Sequence, residues 1–144
     1  MINARRALLL SAAGIAAALA AGLLPGTASA QFTPDTVTIA PAGRIARDGT
    51  LTLSGTYRCS SLRSGVVLIG AEATQGKKRA GTDGTVATCD NRVHSWRNSG
   101  HPLKKFSTGG ADGRATLIEL DTSHGLIPLP VILNSHSRRL TLGR

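Results

Sequence analysis

Large rings are nearly missing from this chain: Phe32, Tyr57, Trp96 and Phe106 are its only aromatic residues. Base-stacking platforms interleaved with cations are therefore absent, which excludes sequence-specific nucleic-acid recognition. Acids are scarce as well, with 8 Asp and Glu against 17 Lys and Arg. Cysteine occurs only twice, at Cys59 and Cys89, without the close spacing of a redox pair or a zinc site. Beyond the N-terminal region no stretch keeps helical periodicity for three turns, which excludes a coiled coil, and no run is apolar enough for a polytopic membrane protein. A length of 144 residues suits one domain. With so few rings, its core must come from Val, Ile, Leu and Ala.

The N-terminus reads as an export signal over residues 1–30. Arg5 and Arg6 form a positive start, and Ala7 to Leu24 is uncharged and mostly Ala and Leu. Pro25 and Gly26 interrupt any helix, and Ala28-Ser29-Ala30 offers small residues to a signal peptidase, so cleavage is expected after Ala30. No cysteine follows the run to carry a lipid, and general secretion fits better than the twin-arginine route. The expectation is a secreted chain without a stable membrane anchor, its single domain spanning 31–144. Losing Arg5 and Arg6 takes the formal charge from +9 to +7. Arginine outnumbers lysine 11 to 4 in that part, a composition of GC-rich coding that accounts for some of the basic excess. A domain so charged attracts anionic surfaces, and salt weakens the attraction.

An even cysteine count in an exported chain predicts one disulfide, Cys59–Cys89. Around it the pattern is that of strands. In Leu51–Cys59, Leu51, Leu53, Tyr57 and Cys59 share one face, while Thr52, Ser54, Thr56 and Arg58 share the other. Val66–Ala73, Thr85–Cys89, Val93–Arg97 and Ala115–Leu120 are further candidates. Thr36–Ile39 and Ile127–Leu133 read as edge strands, since Pro41, Pro128 and Pro130 cannot donate to a ladder. Asp48-Gly49, Asp83-Gly84 and Asp112-Gly113 each precede a strand candidate and predict hairpin turns. The fold class expected is all-β: an antiparallel, immunoglobulin-like β-sandwich of seven or eight short strands with one disulfide. An antibody-type arrangement would put Trp between the cysteines and Tyr two before the second. Here Tyr57 is two before the first cysteine, and Trp96 follows the second.

The leader, the strand Gly49–Cys59, and Cys89 followed by Trp96 resemble small secreted actinobacterial proteins with an immunoglobulin-like domain of unknown function. The likeness covers roughly Thr36 to Leu120 and implies a fold and an address, without an activity or site residues. The enediyne-carrying apoproteins are a second secreted, immunoglobulin-like comparison. They are typically acidic with two disulfides, so that likeness stays at the level of fold.

Catalytic constellations do not assemble. His94, His101, His124 and His136 lack metal-ligand spacing, and no nucleophile elbow or phosphate loop occurs. Ser123, His124 and Asp121 alternate along a presumed strand, and Glu119 with Asp121 reads as a solvated acid pair. The chain is thus expected to be no enzyme and to take no cofactor or metal. Three basic clusters stand out: Lys77, Lys78 and Arg79 between Gly76 and Gly81, expected on an exposed loop, Lys104 with Lys105 on a second loop, and Arg138-Arg139 in the C-terminal segment. Either they grip an anionic polymer, or they keep a small domain soluble and its sheet edges unpaired. Trp96 is expected in the core. The function expected is a non-enzymatic secreted module that binds an anionic cell-envelope polymer or another extracellular protein. The alternative is a small-ligand carrier, or an inhibitor presenting Lys78 or Arg79 to a hydrolase.

Overall fold

Alternating apolar and polar residues become strand after strand in the computed structural model, which describes Gly26 and residues 33–144. The predicted leader, its Ala28-Ser29-Ala30 cleavage site and Gln31 otherwise lie outside the described residues. Nine strands run in order: β1 (Thr36–Val37), β2 (Ala42–Ile45), β3 (Leu51–Arg58), β4 (Val66–Gln75), β5 (Lys78–Gly81), β6 (Thr85–Val86), β7 (His94–Gly100), β8 (Gly109–Asp121) and β9 (Leu129–Gly143). No helix occurs among the described residues.

Hydrogen bonding divides the strands into two groups. β3 pairs antiparallel with β7 on one edge and with β1 and β2 on the other. β8 lies antiparallel between β4 and β9, and the far edge of β4 carries β5 and β6. A parallel pairing of Ala42–Arg44 with Thr141–Gly143 joins the groups into one mixed sheet. The all-antiparallel expectation is corrected here. Pro41, which has no N–H, breaks the first strand along β3; its carbonyl accepts Thr141 N–H (2.8 Å), and β2 resumes with β9 as a second partner.

Turns account for the other departures. Asp48-Gly49 does make the β2–β3 hairpin: Gly49 N–H reaches Ala46 O (2.9 Å) with φ 91°, and Ala46 N–H reaches Thr50 O. Asp83-Gly84 is no hairpin but a corner stitched to β7, where Asp83 N–H meets Ser99 O and Ser99 N–H meets Asp83 Oδ1. Asp112-Gly113 lies inside β8. A side chain at Gly113 would come within 2.3 Å of Leu140 Cδ2 and 2.8 Å of Ile39 Cδ1, so this glycine serves close packing. β8 and β9 therefore run for 13 and 15 residues rather than ending early. Thr85–Cys89 shrinks to Thr85–Val86, and its remainder forms the loop held by Cys89.

The core takes alternate residues from both groups into one cluster. Leu51, Leu53, Tyr57 and Cys59 are buried on the predicted face of β3. Trp96 is only 2% exposed, and its indole N–H donates to Thr38 O (2.9 Å). Asn98, the buried polar residue of β7, donates to Ile69 O of β4 (2.9 Å) and accepts from Thr85, tying the two groups together. The Cys59–Cys89 disulfide forms. β9 opens as an edge strand, as Pro130 predicts; a bulge at Leu133 then shifts its register. Past the bulge, Asn134 Oδ1 and His136 Nδ1 accept Val37 N–H and Ile39 N–H (both 3.1 Å), closing the edge of β1 with side chains.

Candidate anion-binding site

The predicted cations gather at one end of the sheet, although not all of them on the loops expected. Gln75 and Lys78 are paired across a two-residue turn, Gly76-Lys77. Gly76 has φ 61°, and Lys77 has no positive φ, the pattern of a type II′ turn. Only Lys77 sits in the turn; Lys78 and Arg79 belong to β5, which corrects their placement on a loop. Arg79 turns both Nε and Nη2 onto Glu72 Oε2 (3.0 and 2.6 Å), so its charge is locally balanced.

Lys104 and Lys105 do occupy a loop, residues 101–108, and Gln75 fastens that loop to the hairpin. Its amide donates to Ser107 O (2.8 Å) and Gly110 O (3.2 Å), while its carbonyl accepts Ser107 N–H (2.8 Å). Lys78 Nζ adds a bond to Lys105 O (2.9 Å). Two basic segments separated in sequence, 77–79 and 104–105, are thus joined through amide and backbone groups, and among the described residues no carboxylate pairs with their lysines.

Beside them lies a cleft of about 240 Å³ where Arg47, Lys105 and Arg144 meet Ser107 and Thr108 over an apolar floor of Ile45 and Phe106. No Asp or Glu is among the described residues that line it. Arg47 comes from the β2–β3 turn and Arg144 follows β9. Neither was singled out in the sequence, where each is a lone arginine; only the turn signal at Asp48-Gly49 marked the neighbourhood. Phe106 is buried, so it braces the cleft and offers no stacking face. Asp48 stands next to Arg47 in sequence. Hydrogen bonds from Thr50, first its backbone N–H and then its side chain, hold the Asp48 carboxyl below the ordinary carboxylate range, with His101 adding to the effect.

The other residues considered for chemistry have structural partners. Glu119 is buried, which corrects its reading as a solvated acid: it accepts Gly65 N–H (3.0 Å) and Arg63 Nη1 (3.1 Å). Arg63 also grips buried Asp35, whose other oxygen accepts Ser60 N–H (2.8 Å). Burial opposes the Arg63 charge, but the bonds and attraction from Asp35 and Glu119 outweigh it and raise its pKa further. Residues 122–125 form a turn instead of strand. There Asp121 accepts the backbone N–H of Ser123 (2.8 Å) and lies 3.7 Å from His124, with no bond between Ser123 and His124 side chains. His94 bonds Asp90 (2.8 Å) and stacks on Tyr57. Among the described residues, no three His, Cys, Asp or Glu side chains gather as metal ligands, and no helix is long and apolar enough to cross a membrane.

Residues 33–144 match the model of a family described as a family of unknown function, DUF6299. No curated protein matches the chain.

Proposed function

Because the chain belongs to the DUF6299 family, whose function is unknown, we propose a role from its own residues: a non-enzymatic, exported module that binds an anionic envelope polymer through its basic end. One observation carries this reading. Arg47, Lys105 and Arg144 line a single cleft with two hydroxyl residues and, among the described residues, no Asp or Glu, and Lys78 reaches its edge through the bond to Lys105 O. Converging cations suit a repeating phosphate or carboxylate, because each repeat finds a positive group without demanding one shape. Export is supported by the Arg5-Arg6 start, the Ala-Leu run and the Ala28-Ser29-Ala30 site, together with the disulfide. We further read the fold as an immunoglobulin-like sandwich. Its pairings support this: β7–β3–β1 and β5–β4–β8–β9 form separate ladders, and the first strand switches from β3 to a parallel contact with the last.

The test is retention of the purified chain on immobilised polyanions, polyphosphate and an anionic cell-wall fraction, at rising salt. Retention at low salt that is lost when Arg47, Lys105 and Arg144 are all replaced by Ala is the expected result. Equal retention of the triple variant, or none by the natural chain at low salt, overturns the reading.

A further inference from the structure

The outward face of β4, β8 and β9 carries a second site that shares no residue with the basic cleft. Strand register sets its side chains in rows. Val86, Leu68, Ile118 and Ile132 are direct cross-strand partners in one row over four strands. One step toward the β8–β9 connection lies the row Val66, Leu120 and Pro130. In the opposite direction come Gly70, Thr116 and Ser135, and then Glu72, Arg114 and Ser137. The face therefore grades from apolar, through hydroxyl and bare backbone, to charged.

At that gradient the surface is hollow. A groove of about 390 Å³ runs over Gly70 and Gly81, with Ile118 and Ile132 on one side and Arg114 on the other. Its size falls within the range of about 300–1,000 Å³ usual for small-molecule sites. Gly70 forms the floor, and a side chain there would meet nothing within 4 Å. Val86 and Ile132, 66% and 67% exposed, leave apolar area uncovered along the row. The charges at the polar end are unequal in their freedom. Glu72 is balanced by Arg79, whereas Arg114 has no carboxylate partner among the described residues. Its Nε donates to Ser135 Oγ (3.0 Å), which orients the guanidinium and leaves its two terminal nitrogens without a hydrogen bond among the described residues.

We propose that this groove binds an amphipathic carboxylate, with the carboxylate on the terminal nitrogens of Arg114 and the apolar body over Gly70 along Ile118 and Ile132. A planar guanidinium matches the two oxygens of a carboxylate. Burying an alkyl chain against the exposed Ile132 removes apolar surface from water. Thr116, midway, accommodates a polar group near the head.

The test is titration of the purified chain with decanoate, decanol and decyltrimethylammonium, each below its micelle concentration, followed by calorimetry and by amide NMR shifts. Saturable one-to-one decanoate binding is expected, with shifts centred on Gly70, Thr116, Ile118 and Ile132. Arg114→Gln should weaken decanoate by about tenfold to a hundredfold, bringing it level with decanol. Gly70→Leu should block both ligands while keeping the unfolding midpoint, since its side chain enters open space. Tighter binding of decyltrimethylammonium than decanoate, no saturable binding, or decanoate affinity unmoved by either substitution overturns the assignment. So does a dimer in sedimentation that covers this face. Polyanion retention by the basic end is measured on the same variants and should not change, so the two sites fail or succeed separately.

Discussion

At the scale of single residues, contacts are decided by very short distances. Gly55 faces Thr38 across the edge of β3, and a side chain there would fall 1.9 Å from Thr38 O and 2.8 Å from Trp96 Nε1. Both atoms are already joined by the indole hydrogen bond. Gly55→Ala should therefore force β1 off β3 and destabilise the protein by about 3 kcal/mol, read as a lower urea midpoint. Among the described residues Arg63 is the one cation that bridges buried Asp35 and Glu119. Arg63→Met leaves two buried carboxylates with backbone N–H bonds but without their counter-ion, and a loss of about 3 kcal/mol is expected in the same measurement. Asp90 supplies a pH signature. A side-chain bond with His94, then the backbone N–H of Arg92, lowers its pKa below 3.8. A carboxyl depressed in the folded state stabilises above its unfolded pKa, and that contribution fades as pH falls through the folded value. Thermal midpoints taken downward from about pH 5 should thus drop less steeply for Asp90→Asn than for the natural chain.

Elements add constraints that no residue shows alone. The disulfide joins the end of β3 to the loop ahead of β7, closing a separation of 30 residues that contains β4, β5 and β6. Replacing Cys59 and Cys89 together by Ser should cost about 3–4 kcal/mol on the chain-entropy account. Hydrogen exchange should rise most in the loop 87–93, and least where β8 pairs with β9 over their full length. β3 and β4 were readable because each has one dry and one wet face, so period-two alternation survives in the sequence. Their neighbours were less so. β5 is short, and its Lys78-Arg79 looks like loop until Glu72 and Lys105 O are seen to receive those side chains. Glycine at Gly113 mimics a turn signal because the same missing Cβ that permits positive φ also permits close packing.

For the whole molecule the issue is where charge is left unpaired. Arg79 and Glu72 cancel, as do Arg139 and Asp112 at 3.4 Å, so a count of basic residues overstates the field they project. Retention on polyanions should hence survive the double change Glu72→Ala with Arg79→Ala, while it falls with Lys77→Ala and Lys78→Ala. Salt should weaken it throughout, since exposed charges are screened beyond about 8 Å at physiological ionic strength. The opposite character appears at the β8–β9 connection, where Leu126, Ile127 and Leu129 stand exposed and residues 122–134 hold no Lys, Arg, Asp or Glu. Cations gather at one end, whereas the connection at the other carries none between residues 122 and 134, a division invisible in the overall composition.

The sequence by itself determined the all-β class, the Cys59–Cys89 pair, the inward face of β3, Trp96 as a core ring and the edge character of Thr36–Val37 and the start of β9. Each follows from local chemistry: alternation, an even cysteine count, or a proline without its N–H. Only the tertiary structure decided that β2 runs parallel to β9, that Glu119 is buried on Arg63, and that Arg47 and Arg144 join Lys105 at one cleft. It likewise aligned Arg114, Gly70, Ile118 and Ile132 on one face. These depend on partners many tens of residues apart, whose proximity is set by strand register and by packing around a shared core; no local pattern encodes either.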